Sequence, residues 1–392
     1  MREGATHKPK VSSVAVELTA YCNQKCAYCY NEWREDGGKS LFDPSQPGAH
    51  QLARVRLLLD AWDIDHFTLT GGEPCASREL FPLLELLSER GVRAQMISNG
   101  GLIDPAMAER LSAHDLRFVQ VTLNGPNREL HEAHVGEGHF EPTLRGVREL
   151  VRHHVPVVGC IVVTRENAAR IGDILELWEE LGVRHIALSR FSPAGYATTH
   201  AARLLPSRSD LIAAFEATQR FMDEAERFPT ATQGNSAQVP LRKASFQVSC
   251  TMPVPPCAVE VERFPDIRFG TCPIGTGAQE FALGPDGKLR NCTLHRTAIG
   301  GVADVLHPEV DLLALLQAPE VTEYRREQPE FCQGCLHVES CAGGCGAAAE
   351  WVLGHARRYP DPFVWQHIDD AFGAELSAQR VTTEKRHLEL IL

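Results

Sequence analysis

From Val14 to about residue 225 one unit recurs: a short β-branched or apolar run, a turn, then a segment whose apolar residues fall at helical spacing. The runs that read as strands are Val14–Leu18, His66–Thr70, Val92–Ser98, Phe118–Leu123, Val157–Val163 and His185–Ser189. Between them Leu80, Leu83, Leu84 and Leu87 share one helical face, as do Ile171, Ile174, Leu175, Trp178 and Leu181. Strands joined by helices cross over and return in the same direction, so six such units predict an α/β fold with a parallel sheet wound one way.

An open doubly wound sheet and a partial barrel both satisfy that pattern. The position of the unusual residues separates them. The triplet Cys22, Cys26 and Cys29 follows the first strand, Gly71, Gly72, Glu73 and Pro74 the second, and Asn99, Gly100 and Gly101 the third. Thr122, Asn124 and Gly125 close the fourth, Thr164 to Asn167 follow the fifth, and Arg190 to Pro193 the sixth. Every strand contributes its carboxyl end to one face, as in a (β/α) barrel. The sequence therefore predicts a six-stranded, TIM-like partial barrel.

Three cysteines within eight residues can converge on one centre. Thiolates hold iron–sulfur clusters, usually four per cubane, so three would leave one iron open. A zinc knuckle or simple burial are the alternatives. The chain has 13 cysteines, and apart from Cys75 and Cys160 all of them lie in this triplet or after residue 249. Such clustering favours metal ligands, and burial beside a strand end is the reading for Cys75 and Cys160. The excess of 51 acidic over 39 basic residues argues against a nucleic-acid or anionic-membrane binder. No apolar run approaches the roughly 20 residues of a membrane span. The polar stretch Met1 to Lys10 lacks the apolar core of a signal peptide, so a cytoplasmic location is expected.

The C-x3-C-x2-C triplet with Tyr28 before its last cysteine, followed by Gly71, Gly72 and Glu73 on the next strand, resembles the radical S-adenosylmethionine superfamily. The resemblance implies that Cys22, Cys26 and Cys29 hold a [4Fe–4S] cluster, whose fourth iron is chelated by the methionine part of S-adenosylmethionine. It implies that the strand end Gly71 to Glu73 binds the cofactor's ammonium and that Ser98 and Asn99 contact its ribose. Thr122 matches a position near the cofactor's carboxylate, and Tyr28 would lie on the adenine side. Arg145 is a candidate carboxylate partner, because a guanidinium suits bidentate pairing. Many members carry an aspartate where this chain has Asn124, so a proton-acceptor role does not transfer to it.

The spacing of Cys272, Gly287 and Cys292, then Cys332, Cys335, Cys341 and Cys345, resembles the SPASM extension of radical enzymes that modify peptides and proteins. Asp286 and Gly287 between strand-like runs predict a β-hairpin there. The resemblance implies one or two auxiliary [4Fe–4S] clusters. Cys272, Cys292 and Cys345 serve the first, with Cys257 rather than Cys250 as fourth ligand. Cys332, Cys335 and Cys341 serve the second, and the family's last cysteine has no counterpart after Cys345. Cys250, Asp361 and His355 are candidates to close it, with an open iron the remaining option and zinc the alternative for Cys332 to Cys345. The expected organisation is a barrel over 1–225, a bridge over 226–249, the auxiliary-cluster domain over 250–350 and a helical tail over 351–392, with a helix through Trp365, Ile368, Phe372 and Leu376.

By this resemblance the chain is expected to be an oxidoreductase that cleaves S-adenosylmethionine reductively to a 5′-deoxyadenosyl radical. The radical abstracts hydrogen from a residue of a ribosomally made peptide, giving a crosslink, thioether, oxidation or epimerisation. A sulfatase-maturing, formylglycine-forming enzyme, a radical enzyme acting on a small molecule and a non-catalytic iron–sulfur protein are the alternatives. Expected partners are the peptide or protein substrate and an electron donor such as flavodoxin or ferredoxin, with no nucleic acid and no membrane. About a dozen residues precede the first strand, so a separate protein is expected to read a leader peptide, unless the enzyme reads its substrate directly.

Overall fold

The computed structural model describes residues 8–32, 51–227, 246–302, 311–325 and 327–364. Strands β1 (Lys10–Glu17), β2 (Asp63–Thr70), β3 (Arg93–Ser98), β4 (Leu116–Thr122), β5 (Val157–Val163) and β6 (His185–Arg190) realise the six predicted runs with ends shifted by a few residues. Each pairs in parallel with the next. Neighbours in sequence are neighbours in the sheet, with no reversal of strand order, which is the winding of a barrel rather than of a doubly wound sheet.

Helices α1 (Gln51–Ala61), α2 (Leu80–Glu89), α3 (Pro105–Ser112), α4 (Arg128–Val135), α5 (Phe140–Arg152) and α6 (Ile171–Glu180) form the crossovers, followed by α7 (Ala201–Leu204) and α8 (Arg208–Arg227). Leu80, Leu83, Leu84 and Leu87 of α2 and Ile171, Ile174, Leu175 and Trp178 of α6 are buried, as their spacing predicts. Gly159 on β5 makes room for Trp178, since a Cβ there would lie 2.6 Å from the indole. Local signals start the helices: Asp104 accepts the Met107 N–H at 2.8 Å and Asn127 the Leu130 N–H at 3.0 Å.

The sheet does not stop at β6. Strands β7 (Gln247–Cys250) and β8 (Ile267–Phe269) extend it in parallel beyond β6. On the other side β9 (Glu280–Leu283) pairs in parallel with β1, and β10 (Lys288–Arg290) and β11 (Ala298–Gly301) continue antiparallel. The predicted hairpin is therefore β9–β10, turned at Gly287, whose φ is +79°. It is an extension of the barrel sheet, so a boundary at residue 250 cuts through hydrogen-bonded strands. Most of the expected bridge and the expected helix from Trp365 to Leu376 lie outside the described residues; helix Gly346–Leu353 starts directly after Cys345 and crosses the expected boundary into the tail.

Candidate active site

The cysteine loop leaves β1 at Leu18 and is fastened from both sides. Gly72 N–H donates to Thr19 O at 2.6 Å and Glu73 N–H to Tyr21 O at 2.7 Å, while Lys25 and Ala27 N–H groups reach Val135 and His134 carbonyls at 3.3 and 2.8 Å. A Cβ on Gly72 would stand 1.9 Å from Tyr21 O, and one on Gly71, whose φ is +127°, 2.6 Å from Thr19 O. The glycine pair thus lets the end of β2 pass directly against the backbone that carries the triplet.

Glu73 is 1 % exposed, and both its carboxylate oxygens are engaged. Oε1 accepts from Ser98 Oγ at 2.8 Å and Cys75 N–H at 3.0 Å, and Oε2 accepts from Asn99 N–H at 2.8 Å. Burial raises its pKa above the usual carboxylate value, and these donors oppose the rise. Glu73 therefore binds the ends of β2 and β3 into one rim. Asn99 extends that rim to the triplet: its Nδ2 donates to Asn23 Oδ1 at 2.7 Å and lies 3.7 Å from Cys22 Sγ, while its Oδ1 accepts Gly101 N–H at 2.8 Å. Ser98 and Asn99, read from sequence as ribose contacts, here support the rim. Thr122 bonds to the Cys160 thiol, and burial drives that thiol up to about 12. Tyr28 is half-buried beside Cys26, Cys29 and Cys160, and burial, reinforced by Cys26, holds its phenol protonated. Arg145 is exposed on α5 and joins none of these contacts.

The triplet fits a cluster by the chemistry of its donors. The three thiols share one loop, with Gln24 N–H at 3.5 Å from Cys22 Sγ and the Asn99 amide beyond it, both donors that favour a thiolate. Among the described residues no three His, Cys, Asp or Glu side chains are placed to hold a single metal ion. A cubane has a different requirement, since it sets its thiolates around a volume rather than at a point.

Residues not singled out by sequence join the barrel to the hairpin. Arg290 of β10, fully buried, pairs with Glu17 at 3.1 Å and Glu32 at 2.7 Å. Gln51 donates from Nε2 to Glu17 O at 2.8 Å and Gly284 O at 2.9 Å. Both contacts fix the end of β1, where the triplet begins. Their partners lie far apart in the chain, and no local spacing announces them.

Cys272, Cys292 and Cys345 fall together: Cys292 and Cys345 share a small apolar cluster with Met252 and Leu294, and Tyr324 lies beside all three cysteines. Cys332, Cys335 and Cys341 line one cavity together with Cys257. Cys257 thus stands with the second set, contrary to its expected place in the first. Of the other ligands considered, Cys250 is buried in β7 and its thiol donates to Met252 O at 3.4 Å. His355 Nδ1 accepts the Arg357 and Arg358 N–H groups at 3.3 and 3.2 Å. Asp361 accepts from Arg190, from Cys345 N–H at 2.9 Å and from Phe363 N–H at 2.9 Å, so its carboxylate is fully engaged, whereas His355 is exposed with its Nε2 3.9 Å from Glu327.

Comparison with known proteins agrees with this geometry. Residues 16–178 match the family model described as Radical SAM superfamily. The chain is 24% identical over 371 residues to mycofactocin maturase of Mycobacterium ulcerans, covering 93% of this chain and 89% of that protein. It is 26% identical over 350 residues to PqqA peptide cyclase of Ruegeria pomeroyi, covering 88% and 85%. The solved structure of native anSMEcpe with bound AdoMet and Cp18Cys peptide shares the fold, with a TM-score of 0.60 at 16% identity over 98% of this chain and 99% of that one. The family match opens in β1, just ahead of the cysteine loop, and runs through the glutamate rim into α6, so residues 16–178 carry a radical SAM match, and the chain is an enzyme with S-adenosylmethionine and a [4Fe–4S] cluster as its cofactors.

Proposed function

We propose that this enzyme matures a ribosomally made peptide or a protein by removing hydrogen from a carbon of one substrate residue, so that a crosslink, thioether, oxidised or epimerised residue results. The observation that carries the reading is the extent of similarity. The maturase and the peptide cyclase align with 93% and 88% of this chain, spans too long to leave out the cysteine-rich region. When bound, the cluster and S-adenosylmethionine supply an electron and a 5′-deoxyadenosyl radical.

The chain's own residues supply the rest. Cys22, Cys26 and Cys29 hold the cluster, and the backbone end of β2 from Gly71 to Glu73 accepts from the cofactor's ammonium. Glu73 keeps that strand end in register with β3 through Ser98 and Asn99. Thr122 and Tyr28 border the same mouth. The cysteine-rich region carries auxiliary clusters that take up or relay the electron left on the substrate. An electron donor of the flavodoxin or ferredoxin class reduces the first cluster, and the enzyme works in the cytoplasm. No helix among the described residues is long and apolar enough to cross a membrane.

The test is anaerobic reconstitution with iron and sulfide, reduction with dithionite, and measurement of 5′-deoxyadenosine. Cleavage of S-adenosylmethionine with a mass change in a peptide encoded beside this gene is the expected result. Absence of cleavage would sink the reading, and cleavage coupled only to a small molecule would overturn its substrate.

A further inference from the structure

We infer that the cysteine-rich region divides its thiolates four and three: Cys257 closes the C-terminal set, and the set of Cys272, Cys292 and Cys345 keeps one iron for an exchangeable, non-cysteine ligand. The inference rests on the auxiliary-cluster reading given above and reverses the ligand assignment that spacing alone implies.

Cys257 shares a single cavity with Cys332, Cys335 and Cys341, walled by Phe331 and Val338. Tight turns shape its far side: Cys335 N–H donates to Cys332 O at 3.1 Å, Val338 N–H to Cys335 O at 3.2 Å and Cys341 N–H to His337 O at 2.8 Å. Gly343 completes the wall, where a Cβ would stand 3.6 Å from Cys332 Sγ. Cys257 is close enough to Cys341 and Cys335 to feel their charge, and Cys332 feels Cys257 in turn. Four thiolates around one cavity complete a cubane.

Among the described residues the other set has no such fourth member. Cys292 lies within range of Cys345 and Cys272, and Arg325 anchors Cys272 by donating to its carbonyl and, at 2.7 Å, to that of Ile274. All 13 cysteines are among the described residues. Cys75 is committed to the Glu73 rim, Cys160 to Thr122, and Cys250 to Met252. The neighbour that remains is the hydroxyl of Tyr324, bonded to His295 Nε2 at 3.1 Å and set so near Cys345 that a Cβ on Gly346 would come within 2.2 Å of it. Asp361 stands between the two sets, fastened to Cys345 N–H and to Arg190. A cubane on three thiolates exposes one iron, and here that iron would take an exchangeable carboxylate, hydroxide or external thiolate in place of a fourth cysteine.

The experiment uses the full chain with Cys22, Cys26 and Cys29 all changed to Ala, which removes the first cluster and leaves only the auxiliary ones. Iron and sulfide analysis and Mössbauer spectra are recorded on the reconstituted protein, and pulsed EPR with carbon-13 cyanide on the same protein after reduction with dithionite. Two [4Fe–4S] clusters, one of them showing cyanide hyperfine coupling, are expected. Adding Cys257→Ser should open the second cluster, seen as a second cyanide-coupled site or as loss of about one iron in four from that cluster. Cys250→Ser should change neither spectrum. Absence of any cyanide coupling without the Cys257 change overturns the inference, and needs no further variant to fold. It is equally overturned by zinc in the Cys257 set, or by a Cys250 variant that alters a cluster while the Cys257 variant does not. None of these readouts involves peptide turnover, so failure to modify a peptide leaves them intact.

Discussion

Arg190, the last residue of β6, and Asp361, from the segment that follows the cysteine-rich region, form an ion pair in which neither side chain reaches solvent. The guanidinium also donates to Pro253 O at 3.2 Å, and the second carboxylate oxygen accepts Phe363 N–H at 2.9 Å. One buried pair thus ties the barrel, the β7 exit and the loop bearing Cys345 together. Removing one partner leaves a buried charge, which costs about 3–5 kcal/mol. Asp361→Ala is expected to lower the denaturation midpoint accordingly, and Arg190→Met with Asp361→Leu to recover much of the loss. A single variant as stable as the wild type in urea titrations would show that the pair is not closed to water.

Gly72→Ala tests the contact between the end of β2 and the cysteine loop. With a Cβ only 1.9 Å from Tyr21 O the loop must move, at a cost of about 1–3 kcal/mol or more. The expected result is loss of iron from the first cluster and of S-adenosylmethionine cleavage, with auxiliary iron retained. Gly172→Ala on α6, where nothing lies within 4 Å, serves as the control and is expected to stabilise by about 0.5–1 kcal/mol. Equal iron content in both variants would refute the steric argument.

His131 gives a pH dependence. It is fully buried, its Nδ1 accepts Asn124 N–H at 3.2 Å, and burial, with the charge of His134, holds its pKa down to about 3. The folded-state value lies below the unfolded one of about 6.5, so between these limits the unfolded chain binds the proton and the folded chain does not. Its contribution is intact above pH 6.5 and is lost as pH falls toward 3, by a few kcal/mol at most, at about 1.4 kcal/mol per unit. Urea midpoints from pH 7.5 to 5 should fall more steeply for the wild type than for His131→Asn. Parallel curves would remove His131 from the account.

Changing Cys22, Cys26 or Cys29 singly to Ala is expected to abolish 5′-deoxyadenosine formation while leaving the auxiliary iron bound. Iron analysis beside product chromatography checks both halves, and cleavage surviving any one substitution would contradict the assignment of the triplet.

The six strands and the glycine–glycine–glutamate rim were legible because each rests on local pattern: β-branched runs, helical spacing, and unusual residues placed at strand ends. The hairpin was legible for the same reason, through Asp286 and Gly287. Strands β7 and β8 were not, since runs of four and three residues carry no periodicity. Nor was the pairing of β9 with β1, because a sequence shows which segments form strands and not which distant strand each will meet. Glu73 was found, but its grip on Ser98 and Asn99 was not, since three donors from two strand ends meet only in space. Cys257 was missed for a related reason. Spacing along the chain groups cysteines that are close in number, whereas Cys257 reaches Cys332, Cys335 and Cys341 across a cavity.

The pairing of β1 with β9 sets an order of events during synthesis. Ser13 to Val16 leave the ribosome well ahead of their partners Glu280 to Leu283, which follow only after the rest of the barrel. Until then the strand that launches the triplet has one bare edge, open to pairing with other chains. Arg290, which clamps Glu17 from β10, arrives later still. The loop for the first cluster is therefore held in final form only once the hairpin has docked. A nascent chain cut short before residue 283 would expose both an unpaired strand and unclaimed thiols, which makes it a ready target for aggregation and for proteolytic clearance.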